Sequence, residues 1–296
     1  MLLILAASVA AAVHRTPRAA AGVAKRHVLF PHFDRAVPVL LYHWLSASSN
    51  GYGVAPADFA AEMQRLHDLG FQAISLDDYV RFVRGEPVDL PPRPILITFD
   101  DGYVSSYEVA DPILAQYGWT AAMYIPTGFI GDHGRLSWAQ LRQMQASGRW
   151  DIDEHAGNGH VLVDAGATGR RLPFYASEIW TNGRRESFAH YKRRVSDDIE
   201  LGLATLAKNI PGWTPYGTFA VPFNDYGQHG SNDPRIEPWL SGFLKAHFAA
   251  IFVQDGDGFS TPGAGFENRI PVPGAWGPDT LETHLRTGAQ LLAHAH

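Results

Sequence analysis

Short apolar runs alternate with helical segments along most of this 296-residue chain. The runs are rich in β-branched and aromatic residues, as strands are, and the segments between them repeat apolar residues at helical spacing. Predicted strands cover residues 37–43, 71–75, 94–101, 121–126, 150–155, 218–223, 248–253 and 268–272. Predicted helices cover residues 56–70, 76–83, 107–116, 137–145, 186–208 and 278–292. This alternation predicts an α/β protein with parallel strands and outer helices, either an open sheet or a (β/α) barrel.

The composition excludes several classes of protein. A hydrophobic content of 46% with 12% aromatic residues excludes an intrinsically disordered chain. The net charge of -6 gives no basic surface to hold phosphates, so we expect no nucleic-acid partner. The chain has no cysteine, which excludes disulfides and thiolate metal sites, but it has 14 histidines. Imidazole and carboxylate groups are therefore the expected ligands for any transition metal.

The amino-terminal segment differs from the rest of the chain. Residues 1–13 form an apolar run that is shorter than the roughly 18 residues of a membrane-spanning helix. The run and the Ala-rich stretch after it resemble the apolar part of a secretory signal, although no positive leader precedes them. We therefore expect a signal-like or disordered segment over residues 1–35, no stable membrane span, and a secreted or cell-surface protein. The oligomeric state is left open.

Polar side chains stand where the predicted strands end. Asp100 and Asp101 close the run PILITFDD, and His155 ends the run WDIDEH, with His160 five residues later. The carboxyl ends of parallel strands meet at one end of a sheet or barrel, so we expect these side chains to converge. One aspartate and two histidines form a three-ligand set that leaves a coordination position open for water, as catalytic metal sites do.

The two adjacent aspartates are expected to have different roles. Two adjacent carboxylates repel each other, and a divalent cation relieves this when one carboxylate binds it and the other stays ionised. A metal-bound water can have a pKa lowered from about 15.7 towards about 7, and the spare aspartate can take its proton. This chemistry favours amide or ester hydrolysis. The chain has no Gly-x-Ser-x-Gly motif for a serine nucleophile and no nucleotide-binding glycine motif.

The hexapeptide TFDDGY at residues 98–103 resembles the signature of the polysaccharide deacetylase family, the NodB-homology carbohydrate esterases. The LYH tripeptide at residues 41–43 is also common there, and the similarity runs from about residue 38 to residue 272. The resemblance implies a distorted (β/α) barrel in a single catalytic domain over residues 36–296. It also implies a divalent cation, with Zn²⁺ expected and Co²⁺ or Ni²⁺ as alternatives, and removal of N-acetyl groups from an N-acetylated polysaccharide.

Residue roles follow from the same resemblance. Asp100 is expected to be the general base, Asp101, His155 and His160 the metal ligands, and the backbone N–H of Phe223 a donor to the oxyanion. The longer spacing between the two histidines is similar to the branch that acts on poly-β-1,6-N-acetylglucosamine. The third family motif, Arg-x-Pro-Tyr, reads AVPF at residues 220–223, so its arginine is absent. The late Leu-x-His motif of the general acid has no clear match either, since neither His247 nor His284 fits it.

Three readings of the function therefore stay open. The first is a metal-dependent N-deacetylase acting on a poly-N-acetylglucosamine-like, chitin-like or peptidoglycan polymer. The second is a catalytically silent carbohydrate-binding relative, and the third keeps the chemistry with a small cyclic amide as substrate. Tyr42 and His43 either end a core strand or line the site. The pair Asp197–Asp198 is expected to lie on a solvated helix face.

Overall fold

The computed structural model describes residues 35–47, 51–256, 258–263 and 265–294. The signal-like segment predicted for residues 1–35 lies, except for its last residue, outside the described residues. The strands are β1 (Val37–Tyr42), β2 (Trp44–Leu45), β3 (Gly53–Val54), β4 (Gln72–Ala73), β5 (Pro94–Asp100), β6 (Ala121–Pro126), β7 (Trp150–Ala156), β8 (Leu162–Asp164), β9 (Arg171–Pro173), β10 (Trp180–Thr181), β11 (Arg184–Arg185), β12 (Thr218–Ala220), β13 (Ala250–Val253), β14 (Phe259–Ser260), β15 (Phe266–Asn268) and β16 (Ile270–Pro271).

The helices follow the strands around the outside. They are α1 (Pro56–Asp68), α2 (Leu76–Val83), α3 (Asp111–Tyr117), α4 (Trp138–Ala146), α5 (Phe188–Asn209), α6 (Ile236–His247) and α7 (Pro278–His294). A π-helical turn, Ser106–Ala110, precedes α3, and short 3₁₀ turns occupy Thr127–Phe129 and Pro222–Asn224. No helix in the described part of the chain is long and apolar enough to cross a bilayer.

One large sheet, parallel along most of its length, forms a nearly closed barrel. Its strands run in the order β1, β5, β6, β7, β12, β13 and β15, with each neighbouring pair parallel. β16 then pairs in parallel with β1, and only Arg269 separates it from β15. The last stretch of strand therefore contacts both ends of the sheet. This confirms the predicted α/β class and the distorted (β/α) barrel.

Side-chain alternation along β5 decides what faces the barrel interior. All seven residues of β5 are buried. Ile95, Ile97 and Phe99 pack outward in the core beneath the helices, whereas Leu96 packs inside with other barrel residues. Because successive side chains of a strand point to opposite faces, Thr98 and Asp100 share the inward face with Leu96. The strand thus delivers Asp100 to the interior at its carboxyl end.

The same alternation operates along β7. Ile152 lies in the outer core, and Glu154 lies against Gly202 of α5, so this face of the strand packs under the helix. Asp153 and His155 occupy the opposite face. Asp153 accepts hydrogen bonds from the backbone N–H and the hydroxyl of Thr218 on β12. The imidazole of His155 is therefore directed into the barrel at its carboxyl end, as Asp100 is from β5.

Several predicted elements differ from the structure. The strand predicted at residues 268–272 is two short strands, because the chain leaves one end of the sheet and joins the other at Arg269. The polar stretch between β7 and α5 contains two hairpins, β8–β9 and β10–β11. α6 was not predicted, since Pro238 and Gly242 lower its helix propensity. It forms because Leu240 and Leu244 are buried, and tertiary packing outweighs propensity.

Candidate metal centre

The turn after β5 carries the two adjacent aspartates. Asp100 is 1% exposed, and Asp101 follows with a φ of 71°, in the left-handed region that few non-glycine residues adopt. Gly102 continues the turn at a φ of 67°, and a Cβ there would lie 2.3 Å from the Ile125 side chain. Glycine is thus required at this position. The sharp turn separates the directions of the two carboxylates while keeping both at the end of the barrel.

Two imidazoles lie opposite Asp101. His155 Nδ1 is 2.7 Å from the carbonyl oxygen of Ala220, and because a carbonyl only accepts, Nδ1 carries the proton. His155 Nε2 is therefore free to bind a metal, and it lies 3.7 Å from Asp101 Oδ1. His160 Nε2 lies 3.3 Å from the same oxygen. The loop between the histidines thus returns the second imidazole to the first, as the sequence predicted.

The three side chains fit a metal ion. One ligand atom from each of Asp101, His155 and His160 lies within 4.8 Å of the other two. Two ligands of a tetrahedral zinc, each about 2.0–2.1 Å from it, lie about 3.3 Å apart, close to the two distances above. Asp101 Oδ1 is buried and has no hydrogen-bond donor, a costly state that a cation would relieve. Burial also lowers the pKa of His155 to about 4, which keeps its imidazole neutral, as a metal ligand must be.

Asp100 is paired with an arginine that sequence reasoning missed. Arg269 donates hydrogen bonds of 2.7 and 2.6 Å to the two carboxylate oxygens of Asp100, and both side chains are buried. Burial alone would raise the pKa of Asp100, but the charge of Arg269 and its hydrogen bonds, with His155 and His43, lower it to about 2. An arginine between the last two strands, β15 and β16, thus binds Asp100, although the third motif lacks its arginine. A lone arginine in the apolar run NRIPV was the available signal, because a buried charge requires a partner.

Phe223 lies beside the second histidine. Its φ of 57° and the φ of 55° at Asn224 turn the chain sharply after β12. The Phe223 ring is 43% exposed, and its centroid lies 4.5 Å from that of His160. Left-handed backbone at a bulky residue is rare and concentrates at functional sites. The structure therefore places Phe223 at the metal centre, and the role of its backbone N–H as an oxyanion donor stays a prediction.

His43, at the end of β1, is a further histidine at this end of the barrel. Its Nδ1 is buried without a hydrogen-bond partner. Burial lowers the pKa of His43, while the charges of Asp100 and Asp101 act in the opposite direction. The two histidines considered from the sequence are engaged elsewhere: His247 contacts the Phe243 carbonyl, and His284 stacks on Trp276 at 4.1 Å. Of the two alternatives for His43, the structure favours the one that lines the site.

Arg135 supports the turn that carries Asp101. Its Nη1 donates a 2.8 Å hydrogen bond to the carbonyl oxygen of Asp101. The guanidinium lies 3.8 Å from the ring centroid of Tyr103 and 4.9 Å from that of Phe129, a cation–π arrangement on two rings. These contacts hold the turn in which Asp101 adopts its positive φ. Arg135 could not be identified from the sequence, because it belongs to a loop with no strand or motif to locate it.

Comparison with known sequences supports the resemblance. The sequence profile described as polysaccharide deacetylase matches residues 88–226, which include the TFDDGY hexapeptide and both histidines. Over 151 residues the chain is 28% identical to the poly-beta-1,6-N-acetyl-D-glucosamine N-deacetylase of Escherichia coli (strain K12). That alignment covers 45% of this chain and 22% of the relative. The chain spans less than half the length of the curated relatives that it matches.

Solved structures share the fold. A de-N-acetylase from Aggregatibacter actinomycetemcomitans superposes with a TM-score of 0.73 at 21% identity, covering 84% of this chain and 99% of that one. IcaB from Ammonifex degensii superposes with a TM-score of 0.65 at 22% identity, covering 86% and 97%. Because the sequence identities are low, these superpositions establish only that the barrel fold is shared. The matched profile also covers the residues at the carboxyl end of the barrel. By its matched profile, its hexapeptide and its barrel, the chain is similar to the polysaccharide deacetylase family.

Proposed function

We propose that this protein is a metal-dependent hydrolase that removes N-acetyl groups from an N-acetylhexosamine polysaccharide. The observation that carries the proposal is the convergence of Asp101, His155 and His160 around one point, with the ionised carboxylate of Asp100 next to it. A poly-β-1,6-N-acetylglucosamine-like polymer is the first candidate substrate, because the Escherichia coli relative is named for that activity. Chitin-like polymers and peptidoglycan are the alternatives.

Zn²⁺ is the cation we propose, with Co²⁺ or Ni²⁺ as substitutes. Two imidazole nitrogens and one carboxylate oxygen suit these borderline metals better than Mg²⁺ or Ca²⁺, which prefer oxygen ligands. A cation held by these three residues would act as a Lewis acid, lowering the pKa of a coordinated water towards about 7 and polarising the amide carbonyl. The three side chains leave further coordination positions for water and substrate.

Two other side chains of the site, Asp100 and His43, would carry out the two proton transfers of the reaction. Asp100 stays ionised at neutral pH because Arg269 binds it, so it is ready to accept a proton from the attacking water. The water oxygen forms a bond to the carbonyl carbon, and the Phe223 N–H stabilises the negative charge that develops on the carbonyl oxygen. When the C–N bond breaks, the leaving amine needs a proton. His43, which interacts electrostatically with Asp100, is the side chain that we propose passes to the amine the proton that Asp100 took from the water.

The alternative hypothesis is a catalytically silent carbohydrate-binding relative. Its grounds were a missing arginine and a general acid with no clear position in the sequence. Arg269 binds Asp100, and the buried Nδ1 of His43 has no hydrogen-bond partner, which supports these two side chains for the two roles. These two side chains are why we propose catalysis and not binding alone.

Acetate release tests the proposal. The full chain is incubated with acetylated poly-β-1,6-glucosamine, chitin oligomers and peptidoglycan, and a small cyclic amide is followed separately by ring opening, because its hydrolysis releases no acetate. Each substrate is tested with Zn²⁺, Co²⁺ or Ni²⁺ and after chelation. We expect acetate from at least one acetylated glycan, lost on chelation and restored by metal. Binding to a glycan without acetate under any metal would support the silent relative and overturn the proposed activity.

The place of action is also a proposal. We infer that the protein is secreted or attached to the cell surface, because the apolar run at residues 1–13 resembles a signal and the proposed substrate is a polymer. Cell fractionation with an antibody to the chain tests this. Recovery of the protein from the cytoplasm alone would contradict it.

A further inference from the structure

Asp198 lies in the middle of α5, where its carboxylate accepts four hydrogen bonds. Asp198 and its neighbour Asp197 were both expected on a solvated face, which is correct for Asp197, but Asp198 is buried. Asp198 Oδ1 accepts from the backbone N–H of Asn158 at 2.7 Å. Asp198 Oδ2 accepts from the N–H groups of Gly157 and Gly159, at 3.1 and 3.0 Å, and from the Tyr175 hydroxyl at 2.6 Å.

The three amide donors are consecutive residues of the loop that joins His155 to His160. Successive N–H groups that point inward form a concave anion-binding nest, and here the anion is a side chain of the same protein. The loop contributes no side chain of its own to this contact. On this side the loop is therefore held by a single carboxylate, on a helix that otherwise packs against the outside of the barrel.

The loop packs so closely against α5 that two of its glycines have no space for a side chain. A Cβ at Gly157 would lie 2.5 Å from the Asp198 carbonyl oxygen, and one at Gly159 would lie 2.6 Å from Asp198 Oδ2. Neither position therefore accepts a side chain without movement of the loop or of α5. The two glycines are explained by the approach of backbone to helix, since neither is at a positive φ.

The opposite side of the loop is held as well. The carbonyl oxygen of Gly157 accepts a 2.8 Å hydrogen bond from the Gly128 N–H, and the Thr127 hydroxyl lies 3.3 Å from it. A Cβ at Gly128 would lie 2.5 Å from Asn158 Oδ1. The loop is thus clamped between α5 and the Thr127–Phe129 turn. Its remaining freedom is small, and the end of the clamped segment is His160.

We propose that Asp198 is a positioning residue for the metal centre: its carboxylate folds the 157–159 backbone so that His160 meets His155 and Asp101 before any ion binds. The inference rests on the proposed function, since it assigns a purpose to the same three ligands. Residues that orient metal ligands typically change metal affinity about 10- to 100-fold when they are mutated. The effect of Asp198 differs from that of a ligand, because all three ligand side chains remain when it is replaced.

Asp198→Asn is the informative variant, and Asp197→Asn is its matched control. An asparagine keeps the shape of the side chain, but its NH₂ group faces an amide donor where the carboxylate had an acceptor. The control removes the same charge from the exposed neighbouring residue. Two measurements are made: hydrogen exchange of the amides of residues 157–159 in metal-free protein, and the Zn²⁺ dissociation constant from competition with a chromophoric chelator.

In the wild type and in Asp197→Asn, we expect the three amides to be protected and the Zn²⁺ affinity to be the same. In Asp198→Asn, we expect faster exchange at residues 157–159 and Zn²⁺ binding that is about 10- to 100-fold weaker. The Co²⁺ absorption spectrum of Asp198→Asn should also change, because His160 no longer holds one fixed geometry. Activity of the variant should recover at high metal concentration, which loss of the fold would not permit.

Tyr175→Phe keeps the test decisive if Asp198→Asn does not fold. It removes one hydrogen bond from the Asp198 carboxylate and should weaken Zn²⁺ binding in the same direction by a smaller factor. If the wild-type protein binds no metal, the proposed function is wrong. Wild-type binding with equal Zn²⁺ affinity in Asp198→Asn or, where that variant is unfolded, in Tyr175→Phe would overturn the positioning role and leave the proposed function standing.

Discussion

The guanidinium of Arg269 donates two parallel hydrogen bonds to the two carboxylate oxygens of Asp100, from a position 169 residues further along the chain. Both groups are buried inside the barrel, where the guanidinium also lies near the rings of Tyr124 and Phe252. A bidentate pair of this kind fixes the orientation of the carboxylate as well as its charge. The geometry of the closing strand segment is thus coupled to the proposed general base.

Replacing Arg269 by methionine should destabilise the protein by about 3–5 kcal/mol, because the charge of Asp100 is then buried without a partner. The double variant Asp100→Asn/Arg269→Met should recover most of the loss, since neither group is charged. Urea unfolding of metal-free protein measures both free energies, with the exposed Arg142→Met as control. If Arg269→Met unfolds at the wild-type urea concentration, the ion pair has no part in holding the barrel together.

Exchanging each aspartate for asparagine should separate metal binding from proton transfer. Asp101→Asn, like His155→Ala, removes a proposed ligand and should abolish stoichiometric Zn²⁺ uptake measured by atomic emission after dialysis. Asp100→Asn should keep the metal and lose at least about 100-fold in acetate release, because general base catalysis contributes that much or more. Asp132→Asn, on an exposed turn, is the control. Full turnover in Asp100→Asn would remove the proposed mechanism.

His43→Asn tests the proposed proton carrier. The variant should bind Zn²⁺ as the wild type does, because His43 is not among the three proposed ligands. Its kcat should fall by about 100-fold or more, as expected when a group that transfers a proton to the leaving amine is lost. The exposed His67→Asn serves as the matched control and should leave kcat unchanged. Wild-type kcat in His43→Asn would assign the proton transfer to another group.

The sequence predicted the parts of the fold and site that depend on short-range patterns. Alternating apolar runs located β1, β5, β6 and β7, and the rule that parallel strands converge at their carboxyl ends brought Asp101 to His155 and His160. Arg269 could not be found this way, because its partner is distant in the chain and its own stretch reads as a strand. Asp198 was missed because helical periodicity does not show that a loop will bind a carboxylate on an outer helix.

Glu62 gives a prediction about pH dependence that does not involve the metal. Its side chain, on α1, is buried against β1. Tyr42, the residue before His43, donates a 2.9 Å hydrogen bond to Glu62 Oε2. Burial raises the pKa of Glu62 from 4.5 to about 7, although the Tyr42 hydrogen bond acts in the opposite direction. The folded protein therefore retains a proton that the unfolded chain releases between these pH values.

This difference destabilises the protein as the pH rises from 4.5 through 7, because the folded state must then bury a charged carboxylate. Glu62→Gln keeps the acceptor for Tyr42 and cannot ionise. We expect it to be about 1–3 kcal/mol more stable than the wild type at pH 8 and equal to it near pH 4.5. Urea unfolding at the two pH values measures this, with the exposed Glu108→Gln as control. An advantage for Glu62→Gln that is the same at both pH values would show that the glutamate does not titrate in this range.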